Sequence, residues 1–403
     1  MVSLVVGLYL RTSASLRGAA AALGLLARHW QPGLAVPSHT TLRDGVLRLG
    51  CHALVRPLPK DTPWLWLIDH TGGIGSQKLF VIAGCPMSEL PFGKRSLAPA
   101  DRRRVALVPM EKSNALLVNA ELERAVLRTG APRLIVSDQG TDLVGGIKQF
   151  RGRHPDTVAA GDAAHHGANV LENRWERDPR WNEMRRRFAH ANHGMRQTAD
   201  AMLLSPTPRG KSRFMNVGPL LRFAGRVSVL LNREEPDGKV VRRYGWLAEY
   251  ADDLAGWREP HDLVVKTISR VRLHGLNTET LGELEKEWGP ENTRLGTVMT
   301  RGYLRVYVRN TVKSARPGET LTGSSEVLES AFGKLKSKMG ADGTGELTGM
   351  ALALGAILGR PGGEDIREAL DAVPQKKAGG LIGRLIGATV GRLRQKLFAD
   401  ATA

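Results

Sequence analysis

Apolar runs of strand length, arranged in a fixed order, most limit what this chain can fold into. Three of them follow one another closely, and two more alternate with helical stretches. The runs cover residues 64–69, 78–84, 104–109, 133–137 and 157–161, and the helical stretches cover 114–129 and 141–151. Neighbouring strands followed by alternating helices and strands predict a mixed α/β layer fold.

Two of these runs end in an aspartate, and a glutamate lies in a later helical stretch. Asp69 follows the run at 64–68, Asp138 follows 134–137, and Glu329 lies within 324–336. Hard cations such as Mg²⁺ take oxygen ligands, usually a few carboxylates together with the phosphates of a substrate. Two such ions stabilise the attacking and the leaving oxygen of an in-line displacement. We therefore predict that Asp69, Asp138 and Glu329 are catalytic and bind two Mg²⁺ or Mn²⁺ ions.

Each of these carboxylates has an alternative. Taken alone, Asp69 would be interpreted as a turn or helix cap, which is common for an aspartate after an apolar strand. It precedes a glycine-containing stretch, 70–78, which we expect to be a flexible hairpin that lets a ligand approach the backbone. Asp142 competes with Asp138 for the catalytic role, but it could instead cap the helix over 141–151. We prefer Asp138 because it ends the strand directly.

Glu326 competes with Glu329, since residues three apart on a helix face roughly the same way. Lys336 follows Glu329 by seven residues, almost two turns, whereas the equivalent position after Glu326 is a glycine. Lys336, with Lys334 beside it, would therefore bind substrate phosphates next to a metal ligand at Glu329. A second small cluster, Asp162 and His165, is weak as a metal site; it is either a supporting element of the active site or a structural pair in which Asp162 orients His165.

The charge of the chain favours a polyanionic partner. It carries 58 Lys and Arg against 40 Asp and Glu, a net charge of +18, which indicates nucleic acid or an anionic surface. Two isolated cysteines exclude a disulfide framework and a zinc ribbon. P-loop, GxGxxG, GxSxG and HExxH patterns do not occur, which argues against nucleotide hydrolases, dinucleotide enzymes and zincins. We expect a soluble protein of the cytoplasm, associated with the nucleoid and not with a membrane.

The flanking regions are predicted to be helical. Residues 1–55 contain two helical stretches, at 15–26 and 38–50, in the order of a helix-turn-helix, and Gly50 should end the second. Its first turns would present His39, Thr40, Thr41 and Arg43 to a DNA groove. A plain helical hairpin in the core is the alternative.

The remaining segments divide the chain into further predicted domains. These are the first part of the α/β core (56–175), a helical insertion rich in Arg and Trp (176–315), the helix of the catalytic glutamate (316–345) and a helical basic tail (346–403). The tail ends in an amphipathic helix, favoured as a packing or dimerisation helix over a membrane-surface helix. Its apolar face comprises Leu381, Leu385, Ile386, Val390, Leu393 and Leu397, and its basic residues are Arg384, Arg392, Arg394 and Lys396.

The ordered set of these motifs resembles the DDE transposases of bacterial insertion sequences. The matching pieces are Pro37–Gly50, Ile68–Lys78, Ser137–Ile147, Asp162-x-x-His165 and Ser325–Lys336. The resemblance covers most of the chain except the extreme tail. It implies an RNase H-like catalytic core, shared with retroviral integrases and interrupted by a helical insertion before the catalytic glutamate.

The activity implied by the resemblance is cutting of element ends and joining of the 3′-hydroxyl to target DNA. The partners would be the terminal repeats, the target DNA and further copies of the chain, as a homodimer or a higher oligomer on DNA. Two rivals stay open at this point: a non-catalytic DNA-binding derivative of a transposase, and an RNase H-like nuclease that cuts without joining.

Overall fold

The structure, a computed structural model, describes residues 1–30, 32–74, 77–207, 213–291, 294–339, 351–359, 361–386 and 398–399. The described residues are mostly helical and include one five-stranded sheet. The chain divides into two compact units. One comprises Met1–Ala160 with Ser325–Ala403, and the other comprises Gly161–Ser324. We call them the sheet unit and the helical unit.

The five predicted strands form one mixed sheet. The strands are β1 (Trp64–Ile74), β2 (Gln77–Pro86), β3 (Arg103–Met110), β4 (Leu134–Ser137) and β5 (Val158–Gly161). Their order is β3-β2-β1-β4-β5. β2 is antiparallel to both β1 and β3, whereas β4 is parallel to β1. The prediction of a mixed α/β layer fold is confirmed.

The helices precede, separate and follow the strands. Up to the middle of the chain they are α1 (Val2–Arg11), α2 (Leu16–Trp30), α3 (His39–Val55), α4 (Ala115–Thr129), α5 (Thr141–Arg153), α6 (Ala163–Trp175), α7 (Pro179–Asn192) and α8 (Gly218–Leu231). The later ones are α9 (Gly238–Tyr244), α10 (Ala251–His274), α11 (Thr280–Trp288), α12 (Leu295–Val312), α13 (Glu326–Met339), α14 (Ala351–Ile357), α15 (Gly363–Ala372) and α16 (Gln375–Ile386).

One face of the sheet packs against α4 and α5. Alternate residues of β1 point to this face, so its two tryptophans and Ile68 share one buried cluster with the two helices. Local sequence fixes the bounds of α4: the Asn114 side chain accepts the amide of Leu117, and Gly130 ends the helix at a φ of 75°. These bounds agree with the predicted helical stretch over 114–129. This packing holds the β4–α5 connection, with Asp138, at the carboxyl end of β4.

Helices from both ends of the chain also belong to the sheet unit. α13 contacts β1, and α3, α14 and α16 contact β3. The described part of the predicted tail is therefore packed into this unit: Leu352, Leu354 and Ile366 are fully or almost fully buried. Of the predicted amphipathic helix, α16 covers the beginning, and residues 387–397 lie outside the described residues.

The prediction that Gly50 ends a helix was wrong. α3 continues through Gly50 to Val55, and α14 packs directly against it. A Cβ atom on Gly50 would overlap the carbonyl oxygen of Leu352. The glycine therefore allows two helix backbones to approach, a tertiary role that a local pattern cannot separate from a helix stop.

The helical unit has an aromatic core. Its described residues form helices α6–α12, with an isolated bridge between Leu276 and Leu321. Trp175, Trp181 and Trp257 are buried there with phenylalanine and tyrosine rings. The predicted insertion, 176–315, lies inside this unit, which begins earlier and ends later along the chain. Among the described residues, no helix combines the length and apolar character needed to cross a membrane.

Candidate active site

Asp69 and Asp138 directly follow the parallel pairing of β1 with β4. The last pair in that register is Ile68 with Ser137. Because the two strands run in the same direction, the next residues, Asp69 and Asp138, follow at the same edge of the pairing. The fold thus brings together two predicted carboxylates that are far apart in sequence.

Asp69 is not the end of its strand, contrary to our prediction. β1 continues to Ile74, and Asp69 lies opposite Val81 of β2. The antiparallel pairing with β2 extends further along β1 than the pairing with β4 does. The stretch that we expected to be a flexible hairpin is therefore partly strand. Asp69 is therefore held by β2 on one side while its other neighbour is the end of β4. Its Oδ1 atom lies 2.6 Å from the amide nitrogen of His70.

Asp138 and Asp142 share one short turn. The amide of Gly140 donates to Oδ1 of Asp138 at 3.0 Å. A Cβ atom on Gly140 would lie 3.1 Å from this Oδ1 and 3.0 Å from Oδ1 of Asp142. The two carboxylates therefore flank the same small volume, which the absence of a side chain at Gly140 leaves available.

Asp142 does not cap α5, which corrects the role suggested by sequence. The N-cap residue is Gly140, and Asp142 lies in the first turn. Its Oδ2 atom accepts the hydroxyl of Ser113 at 2.5 Å, and its Oδ1 atom accepts the amide of Leu143 at 2.9 Å. Asp142 is thus part of a side-chain network.

His70 completes that network. Its Nε2 atom lies 3.1 Å from Oγ of Ser113, and its Nδ1 atom lies 3.9 Å from Oδ2 of Asp142. Since the Ser113 hydroxyl has one proton and donates it to Asp142, Oγ accepts the proton of Nε2. Nδ1 of the neutral ring is then the nitrogen that can take up a proton.

Burial and charge set the protonation of this cluster. Burial lowers the pKa of His70, the negative charge of Asp142 raises it, Lys78 lowers it and Asp138 raises it; the net result is a lowered pKa. For Asp142, burial raises the pKa. The hydrogen bond from Ser113, the charge that His70 carries once it is protonated, and the amide of Leu143 outweigh burial and leave the pKa below its usual range. At neutral pH the cluster thus combines an ionised carboxylate with an imidazole that is mostly uncharged.

His70 and Ser113 were missed by the sequence analysis. His70 directly follows Asp69, which is a usable signal because a neighbouring strand residue stays close to the site. Ser113 stands in the connection before α4, where no sequence pattern distinguishes it from an ordinary loop serine.

Glu329 and Glu326 both lie in the first turn of α13, and both are partly buried. The helix contacts β1, the strand of Asp69. Its apolar residues Leu328, Ala331 and Leu335 are buried. Buried Arg102 donates from Nη1 to the carbonyl of Val327 at 2.7 Å, which fixes the start of the helix. The choice between Glu329 and Glu326 stays a prediction.

The lysines of α13 have different environments. Lys334 and Lys336, predicted to bind DNA, are exposed. Lys338 is instead tied to the end of α1: its Nζ atom lies 3.9 Å from the ring centre of Tyr9 and donates to the carbonyl of Thr12 at 3.0 Å. The first two therefore present positive charge to the solvent, whereas Lys338 links α13 to α1.

The predicted groove-binding residues lie at the start of α3. Ser38 caps this helix by accepting the amide of Thr41 at 3.1 Å. The exposed side chains there are His39, Thr40, Thr41 and Arg43. The rest of α3 packs against several elements of the sheet unit. The start of this helix is therefore exposed, and most of its remaining residues are at least partly buried.

Asp162 and His165 belong to the helical unit. Asp162 is buried and caps α6: its Oδ1 atom accepts the amide of His165 at 2.9 Å and lies 3.0 Å from Nδ1 of the same residue. This is the structural arrangement in which Asp162 orients His165. A supporting role for this pair in catalysis stays a prediction.

Possible metal ligands, the predicted carboxylates included, are not clustered among the described residues. In the part of the chain that the structure describes, no three His, Cys, Asp or Glu side chains form a group that could hold a metal ion. Cys51 and Cys85 are both buried and free of disulfide bonds. Two-metal binding by Asp69, Asp138 and Glu329 therefore stays a prediction.

Comparison with known proteins places few constraints on this chain. No protein-family model matches it. No curated protein matches it either. Among solved structures it is similar to the Drosophila P element transposase strand transfer complex, with 12% sequence identity over 91% of this chain and 92% of that chain and a TM-score of 0.43.

Proposed function

We propose that this protein is a DDE-type DNA transposase of a bacterial insertion sequence. The observation that carries the proposal is the β1–β4 register, in which Asp69 and Asp138 directly follow the last paired residues of two interior strands of the sheet. The strand order β3-β2-β1-β4-β5 supports an RNase H-like core of the kind that the sequence resemblance implies. The contact of α13 with β1 supports Glu329 as the third carboxylate.

The donor set fits hard divalent cations. Asp69, Asp138 and Glu329 offer only carboxylate oxygens, the ligands that Mg²⁺ and Mn²⁺ prefer. A pair of such ions, when bound, stabilises charge on the attacking and leaving oxygens of phosphoryl transfer. The carboxylates would hold and orient the ions, and neutral His70 beside them can take up a proton at Nδ1.

The charge of the chain supplies DNA affinity. A net charge of +18 gives salt-dependent, sequence-independent attraction to the phosphate backbone. Exposed Lys334 and Lys336 would hold phosphates beside Glu329. A helix-turn-helix-like surface formed by His39, Thr40, Thr41 and Arg43 would recognise the element ends. The helical unit would make contacts of its own with them. The partners are the terminal repeats, target DNA and further copies of the chain, in the cytoplasm at the nucleoid.

The test is a strand-transfer assay with the full chain. The substrate is a DNA fragment carrying the sequences that flank the gene on both sides, and the target is a supercoiled plasmid. With Mg²⁺ or Mn²⁺ we expect nicks at the fragment ends and covalent joining to the plasmid. Asp138→Asn should lose both reactions and keep DNA binding in a gel-shift assay, because it removes one anionic metal ligand and no phosphate contact.

The outcomes separate the three hypotheses. Cleavage without joining indicates an RNase H-like nuclease. Binding without metal-dependent cleavage by the unmodified chain indicates a non-catalytic derivative. Full activity of Asp138→Asn would contradict the assignment of the carboxylate set.

A further inference from the structure

A cluster of arginines surrounds a cavity in the sheet unit. The cavity lies at the beginning of β3, where Arg103 and Arg104 are located. The cavity has a volume of about 230 Å³. Its walls come from the second half of α3, from the start of β3 and the residues just before it, and from Gly359, Pro361 and Asp365. The charged and titratable residues that line it are His52, Arg56, Arg102, Arg103, Arg104 and Asp365. We call it the arginine pocket.

The positive charge in the arginine pocket is only partly compensated. Arg103 is paired with Glu89 at 2.9 Å, and Arg104 donates to the carbonyl oxygens of Gly355 and Ala356. The carboxylate of Asp365 is itself engaged, since its Oδ2 atom accepts the amide of Gly362 at 2.7 Å. The guanidinium groups therefore outnumber the carboxylates at the cavity.

Two of the arginines have unused hydrogen-bonding capacity. Arg102 is 1% exposed, and among the described residues its buried Nε atom has no hydrogen-bond partner. In the same described part of the chain, the guanidinium of half-buried Arg56 forms no hydrogen bond or ion pair. A buried donor without a partner, such as Nε of Arg102, is costly, and the Arg56 guanidinium has donors to offer beside it, so both favour an anion that can accept from them.

Mutual repulsion among the arginines also favours a bound anion. Burial lowers the pKa of Arg102 to about 9, with a further contribution from the charge of Arg104. Burial, followed by the charge of Arg56, lowers the pKa of Arg104 to about 10. A bound anion would relieve both the desolvation and the repulsion.

We propose that the arginine pocket binds a phosphate group, held by Arg56 and Arg102. Guanidinium groups match phosphate oxygens in geometry and charge. The volume is below the ~300–1,000 Å³ of pockets that take drug-sized ligands, so a single small anionic group is the appropriate occupant. The group comes either from the DNA backbone or from free phosphate. The proposal is independent of the proposed DNA chemistry, because Arg56 and Arg102 are not among the carboxylate-site residues.

The test compares full-length variants by thermal unfolding in sodium phosphate and in sodium chloride of equal ionic strength. Phosphate should raise the Tm of the unmodified chain more than chloride does. Arg56→Gln should lower the phosphate affinity by about tenfold or more, because one charge-assisted contact is lost. Arg56→Lys, which keeps the charge, should retain part of the response.

The matched control is Arg233→Gln, which removes one exposed charge in the helical unit and should respond to phosphate like the unmodified chain. A phosphate effect no larger than that of chloride, or an equal effect in Arg56→Gln, would overturn the proposal.

A DNA duplex of unrelated sequence then identifies the source of the phosphate. If the group belongs to DNA, Arg56→Gln reduces the salt dependence of binding by about one ion. If it is free phosphate, DNA binding matches the Arg233→Gln control.

Discussion

The Oδ1 atoms of Asp138 and Asp142 both lie about 3 Å from the position that a Cβ on Gly140 would occupy. Two carboxylates so close together repel each other unless a cation or hydrogen-bond donors compensate their charge. Asp142 has such donors in Ser113 and the amide of Leu143, and Asp138 has the amide of Gly140. Asp138, on the direct continuation of β4, is therefore the better placed of the two for a metal ion beside Asp69.

Substitutions of the two aspartates should differ in severity. We expect Asp138→Asn to reduce cleavage and joining to background. Asp142→Asn should reduce activity by roughly 10–100-fold, the usual effect of losing a residue that supports a metal ligand. The harm is greater than a helix cap would predict, because Asn weakens the hydrogen bond with Ser113 and removes the charge beside His70. Single-turnover cleavage rates of the two variants measure the difference, and a larger loss in Asp142→Asn would reverse the assignment.

The glutamates of α13 allow a similar comparison. We expect Glu329→Gln to lose metal-dependent cleavage and Glu326→Gln to keep most of it. The reason is that a metal ligand at Glu329 has Lys336 two turns further along the same helix face, where it can hold a phosphate. Both variants remove one negative charge from the same turn, so each controls for the other's effect on DNA affinity. Loss of cleavage in Glu326→Gln alone would show that Glu326 is the ligand.

The titration of His70 gives a test that needs no DNA. Removing the charge of Asp142 leaves burial and Lys78 acting on the ring, so Asp142→Asn should lower the pKa of His70 further. Lys78→Gln should raise it. Both shifts can be followed by NMR of the His70 ring protons. A pKa that moves in neither variant would mean that the network with Ser113 and Asp142 does not form in solution.

The same lowered pKa makes stability depend on pH. The folded state binds the His70 proton less readily than the unfolded state, so stability falls as pH drops below the ordinary histidine value of about 6.5. We expect His70→Gln to lose less stability than the unmodified chain on going from neutral to mildly acidic pH. Urea unfolding at the two pH values measures this. The pH dependence of His166→Gln, at another half-buried histidine of lowered pKa, is measured beside it for comparison. Equal pH dependence in His70→Gln and the unmodified chain would contradict the expectation.

Local sequence predicted the strands well because their signal is local. An apolar run bounded by glycine or a polar residue is a strand in all five cases, and Asn114 and Gly130 bound α4 as their residue types suggest. Which strand pairs with which, and over what length, depends on residues outside the strand itself. β1 extends past Asp69 because β2 pairs with it for longer than β4 does, and no pattern within β1 encodes that difference.

The candidate site was predictable only in part, for the same reason. The aspartates after two apolar runs were visible, and in the fold both directly follow the parallel pairing of β1 with β4. The contact of Ser113 with Asp142 joins a loop to a helix 29 residues later, so it depends on the packing of α4 against α5. The arginine pocket draws on segments near residues 50, 100 and 360, whose adjacency only the folded unit creates.

A pair of helical glycines tests the packing of the described tail on the sheet unit. Gly50→Ala places a methyl group against the carbonyl of Leu352 and should destabilise the protein by about 1–3 kcal/mol, the usual cost of overpacking. Gly24→Ala is the matched control in α2, where an added Cβ meets no atom within 4 Å. It should stabilise the protein by roughly 0.5–1 kcal/mol, because alanine is the better helix former. Urea unfolding of both variants decides: if Gly50→Ala is as stable as Gly24→Ala, α14 does not pack on α3, and the tail is separate from the sheet unit.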